Sequence, residues 1–216
     1  MYVKDWMSKD PVVLSKDDSV MEAFNKMKEG NFHRIPIVEN GVCIGLITGT
    51  TLSEYMPSKA TTLSVFEINS LIQKTKCGDI MVKDVYTIHP DALLEEAADK
   101  MMTAHVTCLP VVDPDSNKLV GIITQKIIFG AFIDLMGYYS KGSRIVVEVP
   151  KDEPGIMQNI SGILAINGIN ISHLAVYHDT SISIVVRVDD EDVDKVSKLL
   201  VDNGYKVTDS RVNKID

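Results

Sequence analysis

The sequence has few cysteines and no long apolar segment. Its three cysteines are odd in number and widely separated, and none lies in a CxxC or Cys/His ligand pattern. This distribution argues against a disulfide framework and against a zinc site. The apolar run 127–133 is far too short to cross a bilayer, and residues 1–20 contain acidic residues but no apolar signal-peptide core. We therefore expect a cytoplasmic protein without a membrane partner.

The sequence also lacks an excess of basic residues and the common catalytic motifs. Its formal net charge of −8 argues against extensive binding to nucleic acid or to an anionic membrane. No GxSxG, HExxH, P-loop or paired-carboxylate motif is present, and the adjacent acids Glu95 and Glu96 point apart on a helix. These absences predict no catalytic residues, no metal site and no required cofactor.

Residues 3–48 are repeated in residues 77–124. At an offset of 74 positions Met7 aligns with Met81 and Pro36 with Pro110, and after two extra residues Gly45 aligns with Gly121. A tandem repeat of this kind predicts two half-modules that bury their apolar faces on each other. A cleft between two such halves is a common ligand site.

Each repeat has the same predicted elements. In the first, Ser19 is a candidate N-cap, and apolar residues then follow at helical spacing: Val20, Ala23, Phe24 and Met27. Two short apolar strands separated by a polar turn come next, and a second helix closes the unit. Each repeat therefore reads helix–strand–strand–helix. Met27 and Met101 lie on the helix faces, where core packing is the simplest role.

Residues 143–216 do not continue the repeat. The order of apolar strands, helical patterns and Gly-containing stops predicts β-α-β-β-α-β, which is the ferredoxin-like layout. In one strand Ile182, Ile184, Val186 and Val188 alternate with polar or smaller residues, which is typical of a strand buried on one face.

The repeat motifs resemble those of the cystathionine-β-synthase (CBS) domain. The resemblance rests on residues 7–13, 33–38 and 45–48 and on their counterparts 81–87, 108–112 and 121–124. It implies an α/β fold in which two tandem CBS units form a pseudo-twofold Bateman module, and this module commonly binds adenosine-containing ligands. An adenine nucleotide (AMP, ADP, ATP or a relative) is the implied effector.

The third segment resembles an ACT domain, through residues 152–155 before its first helix and 168–171 before its second strand. ACT domains are regulatory modules that usually bind amino acids at subunit interfaces. The combined order resembles that of small bacterial acetoin-utilisation-type CBS–ACT proteins. The implied division is listed in chain order: CBS 1 at 1–58, a connecting segment at 59–76, CBS 2 at 77–136, a linker at 137–142 and an ACT domain at 143–216.

A short N-terminal segment, which we call the lead-in, precedes the helix–strand–strand–helix pattern of each repeat. The CBS resemblance implies nucleotide-binding positions in both lead-ins and at the strand ends. They are Val12, Val13, His33, Arg34, Ile35, Pro36, Thr48, Tyr86, Thr87, Cys108, Leu109, Pro110 and Thr124.

His33 and Arg34 would meet a phosphate through the planar guanidinium, although a solvated helix–strand junction explains the two residues equally well. The hydroxyl of Thr48 would face the ribose or phosphate, or would simply cap a helix. Pro36 and Pro110 would expose strand backbone to an adenine, or would simply mark an edge strand.

The aspartate that usually binds the ribose in this family is absent, because Thr51 and Ile127 occupy its positions. We expect two unequal clefts. The first would contain His33, Arg34 and Thr48 and would bind a nucleotide more tightly than the second, which would contain Thr107, Cys108 and Ile127. Cys43 and Cys108 lie in apolar strands, where buried inert thiols are expected.

The ACT resemblance implies an amino-acid site at the start of its first helix and of its second strand: Asp152, Pro154, Gly155, Ile156, Asn170 and Ile171. Free N–H groups at a helix start can hold a carboxylate, and Gly155 would let a ligand approach the backbone. Asp152 could instead be a plain helix cap, which the helix dipole favours.

Three functions compete: a sensor of small-molecule effectors, an enzyme, and a structural interaction module without ligands. The sensor is the leading hypothesis. A homodimer and a further, unidentified protein partner are expected, because regulatory modules act on a target and twofold assembly is the commonest oligomer. The helix 125–136 and the linker 137–142 would connect the sites, and ligands would act by shifting populations.

Overall fold

The computed structural model describes residues 1–55, 72–151, 153–178 and 181–213. The chain divides into two compact units, Met1–Ile128 and Phe129–Asp216, and each is described separately. Most of the expected connecting segment 59–76 and residue Asp152 lie outside the described residues. The domain boundaries expected from sequence stay a prediction.

The two repeats have the same helices and hairpin strands in the same order, and the first contains one further short strand, Ser8–Lys9. The first repeat contains α1 (Val3–Trp6), β1 (Ser8–Lys9), α2 (Val20–Gly30), β2 (Arg34–Glu39), β3 (Val42–Thr48) and α3 (Gly49–Tyr55). The second contains α4 (Cys77–Ile80), α5 (Leu94–Thr103), β4 (Cys108–Val112), β5 (Leu119–Thr124) and α6 (Gln125–Leu135). The predicted helix–strand–strand–helix units are therefore confirmed.

Local sequence explains why these elements begin and end where they do. The Ser19 side chain accepts a hydrogen bond from the N–H of Glu22 and starts α2, and Asn31 ends this helix with φ of 49°. Met27 is buried with Val20 and Ala23 on this face of α2, and Met101 is buried on the matching helix. Asn40 and Gly41 have φ values of 53° and 85°, as the turn of a tight β-hairpin requires.

The lead-in of each repeat packs on the other repeat. The N–H of Val3 donates to the carbonyl of Ala92, and the N–H of Cys77 donates to that of Asp18, at 2.9 and 2.8 Å. Both pairs are related by the offset of 74 positions. Strand β1 adds to β5 in the same way, so that the sheet order is β1-β5-β4, while β2 and β3 form a separate pair. This exchange makes the repeats one pseudo-twofold unit.

The second unit is a four-stranded antiparallel sheet with two helices. Its elements are β6 (Ser143–Val149), α7 (Ile156–Ile166), β7 (Ile171–His178), β8 (Ile182–Val188), α8 (Val193–Asp202) and β9 (Lys206–Val212). The strand order is β7-β8-β6-β9, so the predicted β-α-β-β-α-β layout is confirmed. Ile145 and Val186 on the sheet pack with Leu164 and Leu200 on the helices, and all four are fully buried.

One feature of β8 differs from the sequence expectation. The predicted core positions from Ile184 to Val188 are buried, but so are Val185 and Arg187 on the opposite face, with 4% and 9% of their surface exposed. Strand β8 is therefore buried on both faces, because it lies in the interior of the sheet and residues Leu135 and Met136 lie against its second face.

Candidate nucleotide site between the two repeats

A cavity of about 200 Å³ lies between the two repeats. We call it the Arg34 cavity. Its lining comes from the strand ends of the first repeat and the lead-in and α5–β4 turn of the second: Arg34, Leu46, Thr48, Thr50, Val82, Asp84, Val85, Tyr86, His105, Val106, Thr107 and Cys108. The wall combines apolar side chains with a guanidinium, a carboxylate and several hydroxyls, which is the usual character of a small-molecule site.

Arg34 provides a positive charge in the wall of the cavity. It begins β2, and its Nη2 donates a hydrogen bond to the Thr107 hydroxyl of the second repeat. Among the residues that the structure describes, Arg34 forms no ion pair. Its remaining N–H donors can therefore bind an anionic group of a ligand in the fork geometry that guanidinium groups favour.

Cys108 contributes apolar lining. Only 4% of its surface is exposed, and burial raises the pKa of its thiol to about 11, although the nearby Arg34 charge lowers it. The thiol is therefore neutral and weakly nucleophilic at physiological pH. The prediction of a buried inert cysteine is confirmed for Cys108, whereas Cys43 is only half-buried.

Thr48 and Thr51 bind each other. Their hydroxyl oxygens lie 2.8 Å apart, and Thr48 Oγ1 also accepts a hydrogen bond from the N–H of Thr51 at 3.0 Å. Thr48 thus caps the start of α3, which is the structural alternative considered from sequence. Thr51 occupies the position of the aspartate that usually binds the ribose. It is buried, and its hydroxyl is bound to Thr48.

The cavity combines residues that the sequence analysis assigned to separate clefts. Arg34 and Thr48 share it with Thr107 and Cys108. The expected division was wrong in this respect, because the two repeats interleave: the lead-in of the second repeat pairs with β3 of the first through Leu46 and Val82.

The expected nucleotide-binding residues are only partly brought together. Arg34, Thr48, Tyr86 and Cys108 line the cavity, whereas the others lie elsewhere: Val12, Val13, His33, Ile35, Pro36, Thr87, Leu109, Pro110 and Thr124. His33 and both valines are exposed, and Thr124 Oγ1 accepts a 3.4 Å hydrogen bond from the N–H of Ile127. The role of these nine residues stays a prediction. Asp84 and His105 line the cavity but were not predicted, because Asp84 has no assigned role within the 81–87 motif and His105 lies outside the motifs.

Pro36 and Pro110 do not lie on free strand edges. Their carbonyl groups accept hydrogen bonds from the N–H groups of Leu14 and Ile88, each at 3.1 Å. The lead-in of each repeat therefore covers the edge of its own strand pair through a parallel bridge. The edge-strand interpretation was incomplete, because it treated the lead-in as a separate segment.

The expected amino-acid site lies in the second unit. Gly155 has φ of 98° and immediately precedes α7, where it offers no side-chain acceptor to the first N–H groups of the helix. No atom of the described residues beyond its chain neighbours lies within 4 Å of a Cβ placed at this position, so there is space beside the helix start. Asn170 Nδ2 donates to Asp189 Oδ2 at 2.6 Å. Pro154 is exposed, while Ile156 and Ile171 are half-buried at the starts of α7 and β7.

Two further observations concern the described ranges only. Within them no group of three or more His, Cys, Asp or Glu side chains is arranged to bind a metal ion. In the same ranges no helix combines the length and the apolar character that a membrane span needs.

Comparison with known proteins matches residues 3–58 and 77–134 to the CBS domain and residues 143–205 to the ACT domain. The L-aspartate semialdehyde sulfurtransferase of Methanocaldococcus jannaschii is 30% identical over 131 residues, which are 60% of this chain and only 23% of that enzyme.

Among solved structures, the CBS domain pair of protein MJ0100 in complex with 5′-methylthioadenosine and S-adenosyl-L-methionine is similar. It is 30% identical with a TM-score of 0.50, and the match covers 61% of this chain and 95% of that one. A protein from Vibrio cholerae assigned to acetoin utilization (AcuB) is 28% identical with a TM-score of 0.53, over 64% of this chain and 95% of that one.

Proposed function

This chain belongs to the CBS domain family and carries a C-terminal ACT domain, and from this premise we propose that it is a regulatory ligand sensor without catalytic activity of its own. Its CBS pair would bind an adenosine-type nucleotide in the Arg34 cavity. The observation that carries the proposal is the cavity itself, where one guanidinium and several apolar side chains from both repeats meet. The similar CBS pair of MJ0100 binds two adenosine compounds, which supports the same ligand class here.

The chemistry of the cavity suits such a ligand. Leu46, Val82 and Val106 offer apolar surface to a purine ring, and Arg34 offers donors to a phosphate or carboxylate. Since Thr51 cannot accept both ribose hydroxyl protons as a carboxylate does, we propose Asp84 as the carboxylate available to a ribose in this cavity.

Calorimetric titration of the full chain tests the proposal. AMP, ADP, ATP, 5′-methylthioadenosine and S-adenosylmethionine are titrated separately, and native mass spectrometry of the purified protein shows whether a ligand is retained. We expect saturable binding of at least one of these compounds, and Asp84→Asn should weaken it. If none of the five binds and no ligand is retained, the sensor function of the CBS pair is refuted.

A structural interaction module without ligands is the second candidate. It is favoured by the hydrogen bond between Thr48 and Thr51, which commits both hydroxyls within the protein. A function as accessory subunit in acetoin catabolism is a further form of the proposal, since a protein assigned to acetoin utilization is similar over 64% of this chain. Copurification with an enzyme of that catabolism would support it, and normal acetoin consumption without the protein would contradict it.

The ACT domain would bind a small amino acid. The open start of α7 at Gly155 offers N–H groups to a carboxylate, and Asn170 lies at the start of β7 with its amide held by Asp189. A ligand ammonium group could then pair with the Asp189 carboxylate. Thermal shift with each of the twenty amino acids tests the site, and Asn170→Ala should reduce any stabilisation. An unresponsive wild type would refute the amino-acid site.

We propose that the smallest stable species is a homodimer. In the second unit, large apolar side chains on and after α6 are more than half exposed: Phe129, Phe132, Leu135, Tyr138 and Tyr139. A surface of this kind usually meets a partner. Light scattering at micromolar concentration should give twice the chain mass, and the double variant Phe129→Asp/Phe132→Asp should give the monomer mass. A monomeric wild type would contradict the assembly.

If both sites bind, their coupling is measurable. A ligand shifts an equilibrium only when it binds one state better than another, and coupling between two sites is reciprocal. The nucleotide affinity should therefore change in saturating amino acid by the same factor as the amino-acid affinity in saturating nucleotide. Equal affinities with and without the second ligand would exclude communication between the domains.

A further inference from the structure

Three arginines and a histidine form a row across the sheet of the second unit. His173, Arg187, Arg144 and Arg211 are paired in register on β7, β8, β6 and β9. Directly paired residues of antiparallel strands project from the same face, so these four side chains share the face opposite α7 and α8. Like charges directly opposite each other are destabilising, and an arrangement of this kind needs negative charge nearby.

Among the described residues, Asp209 is the carboxylate that forms ion pairs with this row. It lies 2.7 Å from Arg144 and 2.8 Å from Arg211. Glu148, on the same face, is instead bound to Lys206 at 2.8 Å. Within the described residues, Asp209 thus forms ion pairs with Arg144 and Arg211. Arg187, in the interior of the row, has no ion pair.

Arg187 is the most buried member of the row. Only 9% of its surface is exposed, and its Nε and Nη1 atoms have no hydrogen-bond partner in the described part of the chain. Its pKa is lowered by burial and by the charge of Arg144. Removing a charge from water without a partner is costly, so a buried guanidinium with unpaired N–H groups is a candidate site for an anion.

A small cavity lies where that anion would be. Arg187 and His173 line it together with Val185 from the sheet, Leu135 at the end of α6 and the following residue Met136, and its volume is about 10 Å³. The Nδ1 atom of His173 also lacks a hydrogen-bond partner among the described residues. A volume of this size admits roughly one water-sized atom.

We propose that this cavity, the Arg187 cavity, is an anion site that accepts a single negatively charged atom, either a halide ion or one oxygen of a carboxylate. The atom binds the unpaired N–H groups of Arg187, and His173 lies beside it. A neutral water fills the same space but leaves the guanidinium charge uncompensated. The site is separate from the open start of α7, because it lies on the sheet face opposite α7 and α8.

Thermal unfolding of the full chain in chloride, and separately in acetate, tests this site. All solutions have one ionic strength, which sodium sulfate maintains. In wild type each binding anion should raise the midpoint by roughly 4–8 °C in a saturable manner, since a ligand of the folded state stabilises by mass action. Arg187→Met keeps the apolar bulk and removes the charge, and its midpoint should show no such saturable rise.

Arg211→Met is the matched control. It removes a positive charge from the exposed end of the same row and should keep the full anion response. An equal response in wild type and Arg187→Met would overturn the proposal, because it would assign the effect to general salt action.

If Arg187→Met does not fold, the linewidth of ³⁵Cl NMR in the presence of wild type gives an independent measurement. Excess broadening that acetate reverses supports a site shared by both anions, and broadening that acetate leaves unchanged supports a halide site. A midpoint that rises with acetate, without broadening, supports a carboxylate site. If neither anion has any effect on either measurement, the cavity holds water only and the proposal fails.

Discussion

Met81 of the second repeat lies directly over Gly45 of the first. A Cβ atom at residue 45 would be 2.3 Å from Met81 Sδ, and at the related position a Cβ at Gly121 would be 2.6 Å from Met7 Sδ. Each repeat therefore requires a glycine where the lead-in methionine of the other repeat crosses its strand. Both contacts result from the exchange of lead-ins between the repeats.

Gly45→Ala should destabilise the first unit by about 1–3 kcal/mol, which is the usual cost of overpacking. The clash involves only the flexible Met81 side chain, so adding Met81→Ala should recover part of the loss. Urea unfolding of the two single variants and the double variant measures the coupling free energy. Strictly additive effects would show that the contact does not limit stability.

Gly121→Ala is the informative comparison. Its Cβ would also lie 3.0 Å from the backbone carbonyl oxygen of Ser8, which cannot move as a side chain does. We therefore expect Met7→Ala to recover less stability in this background than Met81→Ala recovers for Gly45→Ala.

Arg34→Ala should weaken nucleotide binding by about 1.5–3 kcal/mol, or roughly 10- to 150-fold, the scale of hydrogen bonds to a charged group. Thr107→Val should have a smaller effect, about 0.5–1.5 kcal/mol, since it removes only the hydroxyl that holds Arg34 in place. Calorimetry of both variants measures the change in Kd.

Lys28→Ala is the control for net charge, because Lys28 is exposed on α2 and does not line the cavity. It should leave the Kd unchanged. An unchanged affinity in Arg34→Ala would remove Arg34 from the site.

The stability of the first unit should fall between pH 9 and pH 11. Burial raises the pKa of Cys77 and of Cys108 to about 11, from an ordinary value of 9.0. The unfolded chain then loses these protons before the folded chain does, so the contribution is complete below pH 9 and is lost as pH rises towards 11. The loss is at most about 2–3 kcal/mol per thiol.

Guanidinium unfolding at pH 8, 9, 10 and 10.5 measures this dependence. Lysine side chains titrate in the same range, so the comparison is with the double variant Cys77→Ala/Cys108→Ala. The variant should be less stable at pH 8 and should show a shallower decline above pH 9. Identical slopes would mean that the thiols are as easily ionised in the folded protein as in the unfolded one.

Gly137→Ala should destabilise the second unit by about 2–4 kcal/mol. Gly137 has φ of 66°, and a Cβ there would lie 2.3 Å from the ring nitrogen Nδ1 of His173. The cost combines left-handed backbone strain with overpacking. Gly204→Ala is the matched control, because its φ is 87° but no atom lies within 4 Å of the added Cβ. The control should lose about 1 kcal/mol of stability. Equal losses in the two variants would show that the His173 ring moves aside at little cost.

Much of the fold follows from local pattern. The helix through Val20, Ala23 and Met27 and its repeat 74 positions later were predictable, since helical spacing of apolar residues is visible without tertiary contacts. The last strand was predicted over 205–208 but continues to Val212. Its final residues are mostly polar and carry no alternation, and they are in strand conformation because they pair with β6.

Long-range contacts decided the composition of both sites. The sequence predicted a helix–strand junction at Arg34 and, through alternation, a position for Arg187 opposite the core face of β8. It did not show that Thr107 joins Arg34 in one cavity, because that depends on the exchange of lead-ins between repeats. Nor did it show that Arg187 is buried, because strand alternation specifies only which face a residue occupies, and packing of Leu135 and Met136 decides whether that face meets water.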